Sequence, residues 1–124
     1  ELFEREFDQT DADVVIGGHA GIPFARQCGE RYWLHSGVIG MPTNNASSQT
    51  WYMVLREVKG TIQASWHALV YDAAVAQKRM YEQGQNNAYA EALLSGLWPG
   101  LDVLPEVEKQ QTGQSLQLST ITLS

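Results

Sequence analysis

The sequence predicts an α/β domain, a sheet with helices packed on it, and three observations carry that expectation. Short apolar runs bounded by Gly, Pro and Asp fill the first half of the chain. A clear period of two follows between Thr61 and Tyr71. After Asp72 the pattern changes to capped, helical-type stripes. At 124 residues the chain has the length of one small domain and can bury roughly two-thirds of its unfolded surface. Hydrophobic residues at 44% and charged residues at 18% give a globular composition and exclude a disordered one.

The elements follow in order. "ELFEREFDQT" sets Leu2, Phe3 and Phe7 on one helical face among acids, so it predicts a short amphipathic helix. "DADVVIGG" gives a compact run, Val14 to Ile16, that suits a buried strand ending at Gly17. "HAGIPFARQCGE" reads as a loop punctuated by Gly21, Pro23 and Gly29. "RYWLHSG" predicts a short strand, and Gly37 to Ser48 a long polar loop.

"WYMVLREV" and "TIQASWHALVY" flank Lys59-Gly60 and predict two long strands joined by a tight turn. In the second run Ile62, Ala64, Trp66, Ala68 and Val70 alternate with Gln63, Ser65, His67 and Leu69, as in a strand with one buried face. Asp72 is the expected N-cap of a helix that stops at Gly84. Asn86 or Asn87 caps the next, with Tyr89, Leu93 and Leu97 on one stripe and Gly96 and Pro99 at its end. A Pro-punctuated turn follows, and "LQLSTITL" carries enough β-branched residues for a closing strand.

Formal net charge is −6, with no basic cluster, which argues against a nucleic-acid or anionic-membrane partner. A lone cysteine, Cys28, excludes an internal disulfide and a paired-cysteine zinc site. No apolar run reaches the ~20 residues that span a membrane, and no signal peptide is visible, so a cytoplasmic location is expected.

Chemistry concentrates between Val14 and Pro42, where six glycines, two prolines and two histidines separate the apolar runs. His19 follows a strand and two glycines, at the kind of strand end where active sites are built. It can be a metal ligand or a loop histidine bonded to backbone, and spacing leaves both open. His35 ends the next run, where a single backbone bond is the stronger reading. His67 lies in the polar register of its strand and should face solvent. Trp33, Trp51, Tyr52 and Trp66 lie on predicted strands without basic neighbours, which favours core packing over base stacking. Cys28 has no nearby base in sequence to activate it. Asp11 and Asp13 precede the first strand and should sit at the end opposite His19.

"ADVVIGGHAGIPF", "RYWLHSGVIGMP" and "WYMVLREVKGTIQASWHALVYD" together resemble the C-terminal half of calcineurin-like metallophosphoesterases. In that family a strand ends in Gly-His-x-His, a short strand ending "NPGS" follows, and then a hairpin of long strands. The match runs from about Ala12 to Asp72. It implies half of a four-layer αββα sandwich over residues 1–72, with a helical C-terminal extension over 73–124 packed on it.

By the resemblance, His19 matches the first histidine of the motif and would be a metal ligand. Gly21 stands where the second histidine usually stands, so the motif here is a divergent Gly-His-x-Gly. His35 occupies the position of the Asn in "NPGS". The loop that follows, with Asn44 and Asn45, would border the substrate side of the cleft. The family's remaining ligands come from Asp-x-His, Gly-Asp and Gly-Asn-His-Glu motifs, which are not present here. The chain, which begins at Glu1, is then expected to be the C-terminal fragment of a longer phosphoesterase and inactive alone. The intact parent would use two divalent metals (Mn, Fe, Zn or Mg) to activate water against a phosphate mono- or diester. The missing N-terminal half would be the fragment's natural partner, and without it the exposed hairpin face should lead to self-association or marginal stability. A non-catalytic scaffold of the same fold, or a partner-binding module using the C-terminal helices, is the alternative.

Overall fold

Two three-stranded sheets face one another across a core of Tyr32, Leu34, Ala64 and Trp66. The computed structural model describes residues 2–123; Glu1 and Ser124, the outer ends of the two expected units, lie outside the described residues. The first sheet holds β1 (Val14–Gly17), β2 (Phe24–Cys28) and β3 (Arg31–His35) in the order β1-β3-β2. The second holds β4 (Thr50–Val58), β5 (Thr61–Leu69) and β6 (Ile121–Leu123) in the order β4-β5-β6. Helices complete the α/β architecture: α1 (Leu2–Phe7), α2 (Ala73–Glu82), α3 (Ala88–Ser95) and the short α4 (Glu106–Gln110).

The topology of the first sheet governs everything near His19. β1 pairs with β3 in parallel, and β2 pairs with β3 antiparallel. The chain therefore leaves β1, passes over the carboxyl end of β3, runs down β2 and returns through a tight turn into the centre. β2 departs from the loop expected there. "FARQC" has no alternation to betray a strand, but Gly29, at φ +62, closes a hairpin that the strong strand β3 templates.

Side chains of β3 divide between two layers. Tyr32 and Leu34 point to the second sheet, whereas Trp33 lies under α1, edge-on to Phe3 and Phe7 at centroid distances of 5.3 and 5.5 Å. The indole Nε1–H of Trp66 donates to His35 O at 2.8 Å and ties the sheets together.

The β4–β5 hairpin turns as its sequence predicts. Lys59 and Gly60 both have positive φ, 52° and 80°, as a type I′ turn requires. The alternation in β5 is only partly used. Ala64 and Trp66 are buried, but Ile62 and Ala68 are exposed, because nine-residue strands overhang first-sheet strands of four and five residues. Tyr52 lies on the outer face and stacks on His67, which is exposed as expected.

The helical half follows its caps. Asp72 Oδ1 accepts from Val75 N at 3.0 Å, and Asn87 Oδ1 accepts from Ala90 N at 3.0 Å. α3 ends at Gly96, left-handed at φ +69, where any Cβ would collide with the backbone of Ser47. Tyr89 OH donates to Gly40 O, so α3 is seated on the loop that follows β3. The tail then returns to the sheet, where β6 pairs with β5 in the register Ile62↔Leu123. Among the described residues no helix is long and apolar enough to cross a membrane.

Candidate functional site at the carboxyl end of β1

The crossover from β1 to β2 builds the site. Residues 18–23 must pass over the end of β3, and they are fastened there by His35. The imidazole of His35 lies between two strand neighbours in register, Gly17 and Phe24. Phe24 stacks on it at 5.5 Å, and Gly17 leaves room for it, since a Cβ there would come 3.0 Å from His35 Cδ2. Two backbone N–H groups aim at its ring: Ala20 N–H at Nε2 (2.8 Å) and Gly37 N–H at Nδ1 (3.0 Å).

This arrangement fixes the state of His35. A neutral imidazole has one lone pair for these donors, and the imidazolium has none. Burial, and then the charge of neighbouring His19, push its pKa below the ordinary value. The side chain, 2% exposed, is a neutral fastener of the crossover loop.

His19 directly precedes Ala20, whose N–H is fastened. It is exposed, and its ring makes no hydrogen bond with the described residues. Its backbone is held by the Ala20–His35 bond next to it. A free imidazole on a fixed backbone can bind a metal or accept a proton. Asp11 and Asp13 lie before β1, at the end away from His19. Among the described residues no group of three or more His, Cys, Asp or Glu side chains is arranged to hold a metal ion. The described residues of this chain therefore do not by themselves fit a zinc-type site, which takes three or more protein ligands.

Gly21 follows at φ +84, and its place is set by Trp98. A Cβ at Gly21 would meet the indole at 2.6 Å (Cζ2) and 2.8 Å (Cη2). Trp98 is anchored in turn, with Nε1–H donating to Pro42 O at 2.7 Å and its backbone N–H donating to Asn44 Oδ1 at 2.9 Å. No side chain can stand at position 21 while that indole is in place.

Asn44 and Asn45 are both committed to structure. Asn44 is buried at φ +58, and besides holding Trp98 it donates from Nδ2 to Thr112 Oγ1 (3.0 Å), while its carbonyl accepts from Gly113 N (2.8 Å). Asn45 Oδ1 accepts from Ser47 N at 3.2 Å, a local turn of the kind Asn favours. His19, Gly21 and Asn44 line one cleft, about 940 Å³, whose far wall is the segment from Trp98 to Leu118. Trp98 was not legible as a site residue. Its one signal is a large aromatic inside "GLWPG", where a loop has no other use for it.

No protein-family model matches the sequence, and no curated protein matches it. Among solved structures the chain is similar to the crystal structure of a metallophosphoesterase from Sphaerobacter thermophilus, with a TM-score of 0.67 over 77% of this chain. The fold is metallophosphoesterase-like. Sequence identity is 18%, so the likeness is one of fold. The chain spans 48% of the length of that metallophosphoesterase. In this metallophosphoesterase-like frame, His19 lies where β1 delivers the chain to the open end of the sheet.

Proposed function

We propose that this chain is the C-terminal part of a metal-dependent phosphoesterase domain that hydrolyses a phosphate mono- or diester. The observation that carries the reading is an unpartnered, exposed His19 at the carboxyl end of β1 in a metallophosphoesterase-like fold. Active sites of sheet-based folds form at such strand ends. His19 would contribute one ligand to a divalent metal, and the other ligands would come from a segment packed against the free edge of β1. The chain covers about half of its structural neighbour, which is consistent with such a segment. Alone, this chain is expected to be inactive.

The test is a protein extended upstream by the missing half, assayed on an aryl phosphate with added manganese. His19→Ala should lower the rate at least tenfold. An unchanged rate would remove His19 from the site.

A second reading, a non-catalytic scaffold of the same fold, is favoured by one observation: the Trp98 indole fills the space that any side chain at Gly21 would need. It predicts no turnover by the extended protein at any metal concentration.

A further inference from the structure

The cleft beside His19 is larger than a phosphoryl group needs and of the wrong polarity for one. Its volume of about 940 Å³ is in the range of sites for sizeable organic ligands. Most of its walls are apolar or aromatic, from Phe24 and Met41 to Trp98, Val103, Val107 and Leu116. Val103 and Val107 are 82% and 61% exposed, and they stand on the rim. Such sites bind through apolar area and a few polar groups that orient the ligand. Thr43, 2% exposed, lies in the wall with a hydroxyl that has no hydrogen-bond partner. That hydroxyl is closed off from solvent, so it does not itself reach a ligand in the cleft. Arg26 and Glu108 leave the lining with no strong net charge.

The cleft is also preformed. Asn44 ties the wall at both ends, to Trp98 and to Thr112 and Gly113. It is continuous with His19, so a molecule reacting at His19 would extend into it.

We propose that this cleft receives the leaving group of the phosphate ester, and that the leaving group is planar and largely apolar. Trp98 offers a ring surface to it, and Val103 and Val107 stand at its edge. This rests on the phosphoesterase reading for the word "leaving group", but the cleft itself can be tested without turnover.

The experiment titrates the 124-residue chain with 1-naphthol, 1-naphthyl phosphate and methyl phosphate, followed by NMR. Both naphthyl compounds should move the Trp98 indole N–H and the Val103 and Val107 methyl signals, and methyl phosphate should not. The double variant V103D/V107D changes two exposed positions, so it should fold, and it should weaken naphthyl binding at least tenfold. No shift at millimolar 1-naphthol, or shifts confined to Tyr52 and Leu55 on the hairpin, overturns the proposal. In an active upstream-extended protein the same variant should lower kcat/KM for 1-naphthyl phosphate at least tenfold more than for methyl phosphate. An equal loss on both substrates overturns the leaving-group assignment. Naphthyl binding by the chain with no turnover by the extended protein overturns the hydrolase reading and the leaving-group role together.

Discussion

The indole of Trp98 occupies the space that any side chain at Gly21 would need, 2.6 Å from an ideal Cβ. Two residues separated by most of the chain are thereby made interdependent. Gly21→Ala should cost about 2–4 kcal/mol, from left-handed backbone at φ +84 and from the clash. In a Trp98→Ala background the clash is gone, and the same change should cost only the backbone share, about 1–2 kcal/mol. Urea denaturation of the four proteins of this cycle checks the coupling. Additive effects would mean that the two residues do not meet.

Asn44 should behave as a clamp on the far wall of the cleft. Asn44→Ala leaves the Trp98 N–H and the Thr112 hydroxyl without their partner and puts alanine at φ +58. The expected loss is about 2–4 kcal/mol. Amide exchange at Trp98 and Gly113 should accelerate more than exchange in β4 and β5. Thr112→Val, which removes one of these bonds, should cost about 1 kcal/mol.

His35 makes stability depend on pH with a definite sign. Its folded pKa is depressed, so between that value and the ordinary one, near 6.5, the unfolded chain binds more protons. Its contribution is complete above about pH 6.5 and is lost as pH falls below it. Melting temperature should therefore drop from pH 7 to pH 5 in the wild type. His35→Gln should be less stable at pH 7, with a flatter profile across that interval. A parallel profile would show that another group is responsible.

Self-association is expected through the open side of the molecule. Among the described residues β1 has an unpaired edge, and Ile16, Leu55 and Ile62 border a recess between the two sheets while 54%, 42% and 43% exposed. Ile16→Lys should shift sedimentation toward the monomer, and a wild-type chain that is monomeric with a sharp melting transition would contradict this.

Much of this molecule is written locally. The two caps, Asp72 and Asn87, and the Lys59-Gly60 turn depend on groups within a few residues, and each forms as its sequence predicts. Strands β1, β3, β4 and β5 declare themselves by apolar runs or alternation, and the last overstates its buried length because its partner sheet is short. β2 carries no such pattern. It is a strand because β3 supplies a ladder beside it.

The site divides along the same line. The sequence by itself determined that a histidine follows the first strand, that a glycine stands two residues after it, and that the fold is α/β. Only the tertiary structure decided that His35 is spent on fastening the crossover, and that Asn44 and Trp98 build a wall beside His19. These contacts join positions 15 and 54 residues apart. Such pairings follow from how the sheets and the tail pack, and no local period or cap encodes them. Gly21 is the clearest case, in the sequence a glycine within a loop and, in the fold, the space filled by Trp98.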